Sequence, residues 1–172
     1  EDAYIITKNP GSHGSYPRYI EVYFEGGVPK RIDGKSYKLK NLISYLNEIG
    51  GMHGIGRVDL VENRLVGIKS REIYEAPAAT ILHVAHKELE SLVLDRELAH
   101  FKEIISLKYS ELVYYGLWYS PLRTALGAFV DKTQQHVTGS VKLKLFKGNC
   151  IPVSRESKFS LYNKELSTYG KE

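Results

Sequence analysis

Two apolar patterns of period two stand at opposite ends of the chain, with patterns of helical period between them, and this arrangement constrains the fold most. Near the N-terminus Ile20, Val22 and Phe24 face one way and Tyr19, Glu21, Tyr23 and Glu25 the other, as in a half-buried strand. Gly26-Gly27 closes it, and Val28–Ile32 reads as its hairpin partner. Near the C-terminus Val141, Leu143 and Leu145 alternate with Lys142 and Lys144, and Gly148-Asn149 turns into Cys150–Val153. In between, Leu39, Leu42, Ile43, Leu46 and Ile49 follow helical spacing, with Ser36 as the expected N-cap and Gly50-Gly51 as the expected end. Arg57–Val61 reads as a short strand and Val66–Ile73 as a second extended piece. Pro77 opens a long helix lined by Ile81, Leu82, Ala85, Leu89 and Leu92, and Leu98, Phe101, Ile104, Ile105 and Leu112 continue the period after a bend near Asp95. Ser120-Pro121 starts a further helix carrying Ala125, Leu126, Phe129 and Val130. Strands at the ends and helices in the middle predict an α+β domain, a mixed or antiparallel sheet packed by several helices.

A chain of 172 residues has room for one domain and no more. Residues 1–17 read as an irregular leader, because Asn9-Pro10-Gly11-Ser12-His13-Gly14-Ser15-Tyr16-Pro17 is dense in turn formers, so the domain is expected over 18–172. The first residue is Glu1 and no signal segment follows, which suggests a processed product or a piece of a longer chain. No apolar run approaches the roughly 20 residues that cross a bilayer, so no membrane partner is expected. The net charge of +4 is spread along the chain and neither demands nor forbids a polyanionic partner. The single cysteine, Cys150, forms no intrachain disulfide and points to a reducing, cytoplasmic setting.

Four segments invite chemistry. Gly50-Gly51-Met52-His53-Gly54-Ile55-Gly56 is rich in glycine, but phosphate loops run from a strand into a helix. Here a helix precedes a strand, so a helix end and a tight turn are expected. His83, His86 and Glu90 share one helical face, but no fourth ligand accompanies them, so no metal site is assigned. Tyr109, Tyr114, Tyr115, Trp118 and Tyr119 lie near Lys108 and Arg123 without a basic block, which favours core and interface packing over base stacking. The alternative is a small basic nucleic-acid-binding module that uses the Tyr109–Tyr119 cluster together with Lys142 and Lys144. The densest polar segment is Arg57–Glu75, where both charge signs alternate with small apolar residues. Alternate positions of a strand share a face, and a zwitterionic ligand needs a carboxylate for its ammonium and donors for its carboxylate. A solvated, salt-bridged hairpin satisfies the same pattern. No Ser/His/Asp or Cys/His arrangement is visible, so no catalytic nucleophile is assigned.

The string GMHGIGRVDLVENRLVGIKSREIYEAPAATIL, from Gly51 to Leu82, closely resembles the central signature of the argininosuccinate synthases. The resemblance continues through ELVYYGLWYSPLR at Glu111–Arg123, VTGSVKLKLFKG at Val137–Gly148 and SRESKFSLYN at Ser154–Asn163. It implies the C-terminal, citrulline-binding and oligomerisation half of an ATP-dependent ligase of arginine biosynthesis and the urea cycle. In that family citrulline attacks ATP to give citrullyl-AMP and pyrophosphate, and aspartate then displaces AMP to give argininosuccinate. Two citrulline contacts carry over by motif: the Glu of VENR, Glu62, and the Tyr of IYE, Tyr74. Arg64, Lys69, Ser70 and Arg71 are second-rank candidates by position. The family's Ser-Gly-Gly-Leu-Asp type ATP loop does not occur in this sequence, so ATP with Mg2+ is expected on an N-terminal nucleotide-binding half, and this chain alone is expected to be inactive. The family also implies a cytoplasmic homotetramer and aspartate as second substrate. Glu72 and Ala79 stand where the family often has Gly, and Ser154 precedes Arg155-Glu156 as a further local departure.

Overall fold

The two alternating segments pair with each other at the centre of one sheet. In chain order the elements are β1 (Arg18–Glu25), β2 (Val28–Ile32), β3 (Lys35–Ser36), α1 (Leu39–Met52), β4 (Arg57–Asn63), β5 (Lys69–Glu75), α2 (Pro77–Val93), α3 (Arg96–Tyr114), α4 (Pro121–Thr133), a 3-10 turn (Gln134–His136), β6 (Gly139–Phe146) and β7 (Asn149–Glu156). The structure, a computed structural model, describes residues 2–11 and 16–163. Five strands form an antiparallel sheet in the order β3-β2-β1-β6-β7. The register sets Ile20 opposite Leu143 and Val22 opposite Val141, so the apolar residues of both central strands share one face. Helices α1 and α2 cover that face with Leu42, Leu46 and Ile49 from the first and Ile81, Ala85 and Leu89 from the second. The fold is α+β with an antiparallel sheet, as the sequence pattern predicts. β4 and β5 form a separate two-stranded hairpin inserted between α1 and α2.

Several local expectations are corrected. Ser36 does not cap α1. It pairs with Arg31 in β3, and the Tyr37 amide donates to the Lys30 carbonyl, so the chain is still extended where a cap would be needed. Helix α1 starts at Leu39 after Lys38, which makes no side-chain cap bond. Gly50-Gly51 does not end the helix, which runs on to Met52. Close approach explains both glycines: a Cβ on Gly50 would stand 2.8 Å from Ile81 Cδ1, and one on Gly51 2.5 Å from the Ile6 carbonyl oxygen. The bend near Asp95 is a full break between α2 and α3, and the Asp95 carboxylate accepts from the Leu98 amide at 3.0 Å. The extended piece expected at Val66–Ile73 begins only at Lys69, because the Gly67 amide closes a turn onto the Arg64 carbonyl.

Other starts behave as the residues dictate. Pro77 takes the first position of α2, and Asn47 of α1 accepts the Ala78 amide in place of a local cap. Ser120 accepts from the Arg123 amide and opens α4. Helix α3 stands apart from the core: only Leu112 is buried, while Phe101, Ile104 and Leu107 are exposed. It leans on α4 through the edge-to-face pair Phe101–Phe129 and on α2 through Lys102–Glu90 and Lys87–Glu103. Among the described residues no helix is long and apolar enough to cross a membrane.

Candidate functional site

The β4–β5 hairpin sorts its polar residues by parity. Its register pairs Glu62 with Ser70, Leu60 with Glu72 and Val58 with Tyr74, so Glu62, Ser70, Glu72 and Tyr74 share one face. Asp59, Lys69 and Arg71 project from the other, where Arg71 forms a two-bond fork on Asp59 at 2.8 and 2.6 Å and Lys69 donates to Asn63 at 2.8 Å. Of the six residues singled out in the sequence, Glu62, Tyr74, Arg64 and Ser70 come together, and Lys69 and Arg71 turn away.

Glu62 is the hub of the first face. The Tyr74 hydroxyl donates to Glu62 Oε2 at 2.9 Å, and Arg64 Nη1 donates to Glu62 Oε1 at 2.8 Å. The same Arg64 nitrogen lies 3.4 Å from Glu72 Oε1. The Ser70 hydroxyl oxygen is buried and finds no partner among the described residues. From α3, the Tyr114 hydroxyl donates to the Asn63 carbonyl at 3.2 Å, tying that helix to the hairpin. The Arg64 hydrogen bond, followed by that from Tyr74, holds the Glu62 carboxyl below its ordinary range. The reciprocal bond to Glu62 raises the Tyr74 phenol. At neutral pH the face therefore presents an anionic carboxylate and a protonated phenol, with lone pairs on Glu62 left for a further donor.

The base of the hairpin is clamped by the N-terminal segment. Glu75 accepts from the backbone amides of Ile5, Ile6 and Thr7 and from the Thr7 hydroxyl at 2.5 Å. Arg57 donates to the Thr7 hydroxyl and carbonyl at 2.7 and 2.9 Å, and its guanidinium lies 4.0 Å from the centre of the Tyr4 ring. Burial alone would raise the Glu75 carboxyl, but the four donors outweigh it and hold the group down at about 2. Because the folded value is depressed, the stabilisation is present in full above the unfolded carboxylate range and fades as pH falls towards about 2. Glu75→Gln should lower stability at pH 7 by about 1–3 kcal/mol, nearer the lower end because the group is partly in water. Denaturant titrations of both proteins at descending pH should show the gap closing below about pH 4.5; a gap that widens in acid would contradict the clamp.

Comparison with known proteins decides the family of this hairpin. The whole chain, residues 1–172, matches the family model described as Arginosuccinate synthase C-terminal domain. The chain belongs to the argininosuccinate synthase family. Argininosuccinate synthase from Bacillus subtilis (strain 168) is 56% identical over 172 residues, covering 100% of this chain and 43% of the relative. That from Caldanaerobacter subterraneus subsp. tengcongensis is 54% identical over 171 residues, covering 99% and 42%, and that from Endomicrobium trichonymphae 52% over 172 residues, covering 100% and 42%. The chain thus spans about two-fifths of the length of these synthases, and it carries their C-terminal domain. Nothing in the comparisons supports the alternative of a nucleic-acid-binding module.

The remaining candidate segments of this synthase domain have structural explanations. The glycine-rich segment follows a helix and precedes a strand, the reverse of a phosphate loop, and close approach explains its glycines: a Cβ on Gly54 would meet the Lys8 carbonyl at 2.7 Å, and one on Gly56 the Ala76 carbonyl at 2.6 Å. His86 Nε2 lies 2.8 Å from Gln134 Oε1, Gln134 donates to Glu90 at 2.7 Å, and Lys102 pairs with Glu90 at 3.0 Å. This partly buried network ties α2 to α3 and the 3-10 turn, and burial lowers the His86 imidazole. Among the described residues no group of three or more His, Cys, Asp or Glu side chains converges as metal ligands. The tyrosine cluster is not core in this chain, since Tyr114, Tyr115, Trp118 and Tyr119 are exposed. Glu72 and Tyr114 are the members of the site that sequence reasoning passed over. Cross-strand parity would have flagged Glu72 once the hairpin turn was set; the aromatic cluster marks Tyr114, but no local signal joins it to a hairpin 51 residues away.

Proposed function

We propose that this domain holds citrulline for a complete argininosuccinate synthase, the ligase that joins citrulline and aspartate through citrullyl-AMP. The observation that carries this reading is the Glu62–Tyr74 pair on one face of the hairpin, in a chain whose family forms argininosuccinate. Glu62 accepts hydrogen bonds from the α-ammonium of citrulline, and Tyr74 sets the carboxylate's orientation while offering its phenol to the ligand's polar end. Such contacts hold the substrate where its ureido group can react, and positioning of this kind lowers a barrier without any covalent step by the residues involved. The nucleotide and its Mg2+ belong to residues outside this chain, in keeping with a glycine-rich segment that runs from a helix into a strand, and the aspartate site lies there as well. The domain is read as residues 18–172, with 1–17 as a leader that contributes Ile5–Thr7 to the clamp on Glu75. The exposed apolar side of α3 and the Tyr114–Tyr119 cluster are the surfaces that a cytoplasmic homotetramer would cover.

Activity separates the parts. The pure 172-residue chain should release no pyrophosphate from ATP in the presence of citrulline, whereas the complete synthase that contains this domain should release it and, with aspartate, form argininosuccinate. Pyrophosphate release by the isolated chain, or a folded complete protein that makes no argininosuccinate, would overturn the proposal.

A further inference from the structure

We infer that Arg64 is a positioning residue for Glu62: one guanidinium nitrogen, shared between the carboxylates of Glu62 on β4 and Glu72 on β5, fixes the Glu62 carboxylate for a ligand ammonium. The inference rests on the reading of Glu62 as a citrulline contact. Arg64 is suited to the task by its backbone. Its amide donates to the Ile68 carbonyl and its carbonyl accepts from the Gly67 amide, so the residue is pinned at the mouth of the hairpin turn and its side chain folds back along β4. Only its side chain can then span the two strands. It meets Glu62 at 2.8 Å and Glu72 at 3.4 Å, and Tyr74 holds the other oxygen of Glu62.

Charge makes the arrangement more than a surface pair. Without Arg64, two carboxylates would share the face and each would disfavour ionisation of the other. With it, the cluster carries a net single negative charge in the form of an ionised Glu62, the complement of one ammonium group. The Glu62 side chain is 15% exposed against 45% for Arg64, so the carboxylate is recessed and the guanidinium lies nearer the solvent. Arg64 therefore steadies the acceptor from its outer side. The other titratable groups around Glu62 are Glu72 and Tyr74 on β5 and Tyr114 on α3; Tyr114 also lines, with Arg64 and Glu111, an open cleft of about 630 Å³ between the end of the hairpin and that helix.

Citrulline kinetics of the complete synthase against pH test this. Arg64→Gln should raise the citrulline KM roughly two- to tenfold with kcat at saturation nearly kept. It should also move the acidic limb of the 1/KM profile upwards, because Glu62 is then harder to ionise. Arg64→Lys should recover part of both effects. Glu72→Gln placed on the Arg64→Gln background should bring the limb back down, since the opposing carboxylate is gone, which a merely structural loss would not do. If Glu62→Gln raises KM while Arg64→Gln leaves KM and the limb in place, the positioning role is wrong and the citrulline reading stands. If Glu62→Gln itself leaves KM unchanged, the underlying reading has failed. A fall in kcat with KM unchanged in Arg64→Gln would overturn the inference by placing Arg64 in the chemical step.

Discussion

Glu62→Gln in the complete synthase should raise the citrulline KM by about tenfold to over a hundredfold, the range expected when a charge-assisted hydrogen bond to an ammonium is replaced by a neutral one. The variant keeps the size and planarity of the side chain, so the hairpin register should survive. It exchanges an oxygen acceptor for a donor on a carboxylate whose two oxygens already receive Arg64 and Tyr74. Tyr74→Phe should have a smaller effect, because it removes a single neutral donor and leaves Glu62 ionised and held by Arg64. Steady-state kinetics at fixed ATP and aspartate read both variants. If Glu62 served only as one end of a wet ion pair, Glu62→Gln would leave citrulline dependence untouched.

Leu143→Ala should lower the unfolding free energy by about 2–5 kcal/mol. Leu143 sits on β6, the strand that joins the N-terminal strands to β7, and it is fully buried with Ile20 directly across the ladder. Loss of its side chain opens a cavity under α2, and a close-packed interior relaxes only in part to fill it. Chemical denaturation of the domain measures the change. A loss below about 1 kcal/mol would mean that the sheet and α2 do not pack as described.

The sheet and its helices were legible because burial imposes a period, and Val141, Leu143 and Leu145 carry it as plainly as Ile20, Val22 and Phe24. What local pattern cannot convey is which strand lies beside which. The pairing of β1 with β6 joins segments far apart in sequence, and the brief β3 that claims Ser36 exists only because β2 offers it an edge. Gly50 and Gly51 depart from the expected helix end for a related reason. Glycine marks both a helix end and a close approach, and only the positions of Ile81 and Ile6 decide between them.

The site divides in the same way. Glu62 and Tyr74 lie 12 residues apart, and a turn near Val66-Gly67 was enough to place them on one face. The second-rank residues could not be separated, since a change of one residue in the loop exchanges the faces of a strand. The observed turn puts Ser70 beside Glu62 and sends Lys69 and Arg71 to the opposite side. The bonds from Thr7 to Glu75 and from Tyr114 to Asn63 cross 68 and 51 residues, and no spacing rule reaches that far.

The central claim, that the Glu62–Tyr74 face of the hairpin receives citrulline, is tested most directly by a structure of the complete synthase with citrulline bound. The account predicts the α-ammonium nitrogen within about 3 Å of a Glu62 carboxylate oxygen, with the Tyr74 hydroxyl in hydrogen-bonding reach of the ligand. Citrulline bound elsewhere, with Glu62 still engaged only by Arg64 and Tyr74, would contradict it.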